Sequence, residues 1–113
     1  MKYQNTIDDQ YLELANAIIE CAAMDYRAAL MIYKRSLDEL ADLERLKDLY
    51  TDERVLKARR ENTEKRKRGA ELEIKSIERF FFSEWAQTLT GGVNFHYIIK
   101  QLKKEYGIND DHI

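Results

Sequence analysis

Apolar positions recur at three- and four-residue spacing through most of the chain, the signature of helices that bury one face. The densest stretch is Ile74 to Thr90. Within it Ile74, Ile77, Phe81, Trp85 and Thr88 fall in one narrow stripe, with Phe80 and Phe82 each about 100° to either side. An apolar arc covering more than half a helix has to be enclosed by several neighbours. The pattern predicts one helix running to Thr90, central in a bundle and stopped by Gly91-Gly92.

Upstream, a polar start at Thr6 to Asp9 opens a long helix whose core face is Tyr11, Ala15, Ile18, Ala22, Tyr26, Ala29 and Tyr33. Leu12, Ile19 and Leu30 flank that face on one side, and Leu14, Cys21 and Ile32 on the other. A second, weaker stripe of Ala17, Met24, Ala28 and Met31 lies opposite. Two readings of it stay open: a homodimer surface, or burial within the monomer. Leu37, Leu40, Leu43, Leu46 and Leu49 drift around the helix, and Ser36 with Glu39 has the form of a capping box, which predicts a break or kink near residue 36. A last helix is capped by Asn94, buries Phe95, Ile98, Ile99, Leu102 and Tyr106, places Lys100, Lys103 and Lys104 at its negative end, and stops at Gly107. Residues 108–113 are expected to form a loose tail.

Charge changes the picture between these helices. Residues 38–53 carry seven acids and two bases, and 54–68 carry eight bases and two acids. Thr51-Asp52-Glu53 reads as a helix start, so the two blocks should fold back as an antiparallel hairpin, a charged arm over 38–68 with opposite charges facing. Gly69 marks where the arm re-enters the body, and the core resumes at Leu72. The expected fold is all-α: one domain over 1–113, a bundle of three to four helices with a protruding charged antiparallel hairpin.

Composition agrees with this. Proline is absent and glycine occurs four times, which disfavours a turn-rich β design. Lys+Arg and Asp+Glu nearly cancel, at 19 against 21, so no global field draws the chain to nucleic acid. The single cysteine, Cys21, excludes an intramolecular disulfide. No secretory leader is expected and no apolar run reaches about 18 residues, so the chain is expected to be cytoplasmic and without a membrane partner.

Catalytic constellations are missing. Histidine occurs only as His96 and His112, too few with one cysteine for a zinc site, and Gly91-Gly92 lacks the strand and lysine of a phosphate loop. Cys21 on the flank of a core face is read as packing, not as a dyad with His96. Neither an enzyme nor a cofactor is expected. The chemistry of interest is polar: Asp25, Glu78 and Glu84 lie within apolar arcs and need partners such as Arg27, Arg79, a tyrosine hydroxyl or a helix end. Either they form an internal lock that fixes helix register, or they belong to a pocket. In the pocket, Tyr26, Phe80, Phe82 and Trp85 would be stacking walls, and Arg27 and Arg79 planar donors to a phosphate or carboxylate.

Two stretches carry a resemblance. Asp25-Tyr26-Arg27-Ala28-Ala29-Leu30, and Glu78 to Trp85 followed by Leu89-Thr90 and Tyr97-Ile98-Ile99, resemble small uncharacterised proteins of phages and prophages of Gram-positive bacteria. The most specific part is Glu-x-Phe-Phe-x-Ser-x-Trp-x-x-x-Leu-Thr, and the likeness covers about half the chain. In that group a short connection joins the two stretches, whereas here residues 37–71 form a long charged insert. The resemblance implies a mobile-element origin and a host-cytoplasm setting, and no particular activity. The expected function is therefore non-enzymatic counter-defence binding. One version sequesters a nucleotide-like immune signal in the aromatic and arginine cluster. The other blocks a host defence protein through Arg59, Arg60, Lys65 and Arg66 on the arm. The alternatives are a nucleic-acid-binding accessory protein of phage replication, acting through RRENTEKRKR, and a homo-oligomer without ligand.

Overall fold

A computed structural model describes residues 7–108, with side chains from residue 9, as an all-α chain without strands among those residues. Helix α1 runs Ile7–Arg45, a short 3-10 turn Lys47–Leu49, α2 Glu53–Phe81, α3 Glu84–Leu89 and α4 Phe95–Glu105. The molecule is a rod of 74 × 22 × 20 Å, because α1 alone extends for about 58 Å at the α-helical rise. Thr6, His112 and the expected loose tail beyond residue 108 lie outside the described residues.

Helices α1 and α2 form the hairpin that the charge blocks predict. Asp52 caps α2 by accepting from Arg54 N, and Arg54 bonds the same carboxylate, which holds it below the usual carboxylate range. Across the hairpin Arg66 meets Glu39 at 3.1 Å and Arg60 meets Glu44 at 3.7 Å, so acidic and basic blocks do face each other. Between them Leu43 and Thr63 are buried. Thr63 Oγ1 lies 2.7 Å from Glu39 Oε2 and 3.0 Å from Arg59 O, two acceptors for its one proton. No break occurs at Ser36. Its hydroxyl donates to Ile32 O inside a continuous α1, and Glu39 is taken by Thr63 and Arg66 instead of closing a capping box.

The body is built around Tyr26, Leu30 and Tyr33 of α1, Ala70, Ile74, Ile77 and Phe81 of α2, Ala86 of α3, and Phe95, Ile99 and Leu102 of α4. Phe81 lies at its centre, stacked on Phe95 at 4.9 Å and edge-on to Tyr26 at 6.2 Å. Leu72 does not restart the core. It is 70% exposed on the outer face of α2, and burial begins at Ala70 and Ile74. Ile108 is buried with this cluster, so the chain is still packed where a loose tail was expected to begin.

The predicted helix through Thr90 is two helices. Ser83 has an extended backbone, donates to Phe80 O at 2.6 Å and accepts from Ala86 N, ending α2 and capping α3 with one side chain. Gln87 Nε2 donates to Phe81 O, satisfying a carbonyl that the break leaves without its helical partner. The reorientation removes Trp85 and Thr88 from the Phe81 stripe, and both are exposed. Gly91 and Gly92 follow with φ of 70° and 86°, the left-handed geometry that a side chain resists.

Candidate functional site

The polar residues of the body resolve into a lock. Tyr26 is 0% exposed, and its hydroxyl donates to Glu78 Oε2 at 2.6 Å. Lys103 is 5% exposed, and its Nζ reaches the same oxygen at 3.1 Å. One carboxylate thus ties α1, α2 and α4 together, and a slipped register would strand a buried ammonium. The sequence pointed to Glu78 and to a tyrosine hydroxyl but assigned Lys103 to the helix dipole. The signal for Lys103 was its spacing, four residues after Ile99, on the buried side of α4. Asp25 and Glu84 are exposed instead, and Glu84 sits in the first turn of α3, where its charge suits the dipole.

The six residues considered for a ligand pocket do not converge. Tyr26 is interior and offers no face to a guest. Phe80 and Trp85 do meet, with centroids 5.6 Å apart, and Trp85 Nε1 donates to Tyr11 Oη at 3.3 Å. Phe82 is held apart from them, stacked on His96 at 4.1 Å. Arg27 pairs with Glu105 at 3.4 Å across solvent-exposed surface, and Arg79 is exposed on α2. The separation follows from the Ser83 break, which turns Phe82 and Trp85 to different sides. Phe80 instead borders an open apolar groove of about 370 Å³ lined by Ala17, Ile18, Cys21, Ala22 and Asp25 of α1. Cys21 is exposed there and is not a packed residue.

The four arm residues divide differently. Arg60 and Arg66 are turned inward to Glu44 and Glu39, and Arg59 Nη1 lies 3.4 Å from the Tyr50 hydroxyl. Lys65 alone of the four stands on the outer face of α2. It belongs to an exposed ridge, Arg54, Lys57, Glu61, Lys65, Arg68, Leu72, Lys75 and Arg79, spaced three or four residues apart over about 38 Å. Arg54 and Lys57 have acid neighbours in Asp52 and Glu61. Among the described residues Lys65, Arg68, Lys75 and Arg79 make no ion pair. Lys75 lies outside the basic block, which ends at residue 68, and so carries no signal in the charge pattern. The same three- and four-residue count, taken opposite the Ile74 stripe, would have reached it.

Among the described residues no group of histidine, cysteine and carboxylate side chains could hold a metal ion, and no helix is long and apolar enough to cross a membrane. No protein-family model matches the chain, and no curated protein or solved structure matches it either.

Proposed function

We propose that the chain is a non-enzymatic binding protein of phage type, acting in the host cytoplasm as a counter-defence factor by blocking an acidic surface of a defence protein. The observation that carries this reading is the row of four cations without an ion-pair partner among the described residues, Lys65, Arg68, Lys75 and Arg79, on the outer ridge of α2. Arginine and lysine at helical spacing on a rigid rod match carboxylates displayed on another protein, and they lose no internal partner on binding. The dispersed aromatic residues favour a macromolecular target over a sequestered nucleotide-like signal.

The test is protection of a sensitive phage in defence-bearing host cells. Lys65→Glu with Arg68→Glu should abolish protection and leave the thermal melt unchanged, whereas Arg27→Ala should preserve protection. Protection that survives the double reversal, or a nucleotide released on heating the purified protein, would reject the reading. The same ridge supports one alternative, an accessory protein that neutralises nucleic-acid phosphates. That alternative predicts binding to random duplex that falls steeply with salt, with the slope reduced by about one for each ridge cation removed.

A further inference from the structure

Helix α1 carries a seam that none of the described residues covers. Leu14, Ala17, Cys21, Met24, Ala28 and Met31 follow one another at intervals of three and four residues, and all six are exposed, Leu14 by 59% and Met24 by 70%. This is the a/d repeat of a coiled coil, separate from the face that packs on α2 and α4. Ile18 and Ile32, also exposed, widen it. Two grooves open beside it, the one at Phe80 and a second of about 540 Å³ between Ala28 and Ile32 of α1 and Gly69 and Ala70 of α2.

We infer that this seam is the contact between two copies of the chain, with their α1 helices antiparallel about a two-fold axis between residues 22 and 23. In that register Leu14 faces Met31 of the second copy, Ala17 faces its Ala28, and Cys21 faces its Met24. Every layer occurs twice by symmetry. The alanine layers let the helices approach closely, and the larger residues fill the layers on either side.

Charge selects this direction. On one flank of the seam the residues in order are Glu13, Glu20, Arg27 and Lys34. Antiparallel pairing sets Glu20 opposite Arg27 and Glu13 opposite Lys34, four opposite-charge pairs in the dimer; Lys34 already meets Asp38 at 3.2 Å and Glu13 has a contact of its own, so the two Glu20–Arg27 pairs carry the preference. Parallel pairing sets Glu20 opposite Asp25, and beyond the seam it stacks Asp38 on Asp38 and Asp42 on Asp42. Its one kind of attractive pair, Lys34 with Glu39, formed twice in the dimer, joins side chains already held, Lys34 by Asp38 and Glu39 by Thr63 and Arg66. Arg27 keeps its exposed contact with Glu105 on the same side, so the second copy's acid adds to a partner that costs little to share.

The dimer displays its two charged arms at opposite ends, each beginning some 23 Å from the axis along α1 and reaching about 34 Å by Arg45. A partner with repeated sites would be engaged twice, and one with a single site only once. The inference rests on α1 and is independent of what the arm binds.

Sedimentation of the full chain should give a dimer that dissociates on dilution. Glu20→Arg sets two like-charge pairs across the axis and should raise the dissociation constant about tenfold, and adding Arg27→Glu should restore it. With Cys21→Ser as background, Ala17→Cys and Ala28→Cys chains should form a disulfide when mixed, and neither should do so alone, since only positions 17 and 28 share a layer. A monomer at every concentration, tighter association in Glu20→Arg, or self-linking of Ala17→Cys chains would overturn the inference. Circular dichroism of each variant separates loss of dimer from loss of helix.

Discussion

The Glu78 lock makes a quantitative demand on stability. Glu78→Gln keeps the shape and an acceptor for the Tyr26 hydroxyl but removes the charge that faces the buried Lys103 ammonium. Breaking a buried pair from one side costs about 3–5 kcal/mol. Because the Glu78 side chain keeps 20% of its exposure, water relieves part of this, and about 2–3 kcal/mol is expected. Lys103→Met removes the ammonium instead. It leaves a carboxylate that still accepts from Tyr26 and touches solvent, so about 1–2 kcal/mol is expected. The double variant has neither charge and should cost no more than the worse single one, a coupling of about 1–2 kcal/mol. Urea unfolding at fixed protein concentration reads this directly. With a slope of about 1.5 kcal/mol/M, Glu78→Gln should lower the midpoint by about 1.3–2 M. Additivity of the two single changes within about 0.5 kcal/mol would mean that the pair does not act as one unit, and the account of how α1, α2 and α4 are held in register would fail.

Three further outcomes follow from local geometry. Ser83→Ala removes both the α3 cap and the bond to Phe80 O, and chemical denaturation should show a loss of about 1 kcal/mol. Gly92→Ala forces a side chain into a φ of 86° and should cost about 1–2 kcal/mol, although nothing crowds the site; an unchanged melting temperature would contradict the strain argument. Burial, and then the nearby Glu71 charge, raise the Tyr33 hydroxyl above its usual value. Above about pH 10 the unfolded chain therefore loses a proton that the folded chain keeps, so stability falls as pH rises from there towards the folded value. Tyr33→Phe should flatten this part of the profile in denaturation series at about pH 9 to 11, and identical slopes in the two proteins would refute the assignment.

Periodicity, the lack of proline and the paired charge blocks were enough to determine an all-α chain with an acidic and a basic helix folded on each other. These are local properties: a helix needs only its own hydrogen bonds and one apolar face, and Asp52, Asn94 and Gly107 cap or end helices through neighbours in sequence. Ser83 was also legible as a cap, but the three phenylalanines before it masked the signal. Tertiary structure alone decided which polar groups meet. Lys103 lies 25 residues from Glu78 in sequence, and whether its long side chain turns to water or inward depends on how α4 crosses α2. Folding likewise decided that Phe80 and Phe82 part company, and that Arg60 and Arg66 face their own hairpin while Lys65 and Arg68 do not. A sequence fixes the angular order of side chains around each helix, but the choice of which angle is covered belongs to the neighbouring helix, and only packing supplies that neighbour.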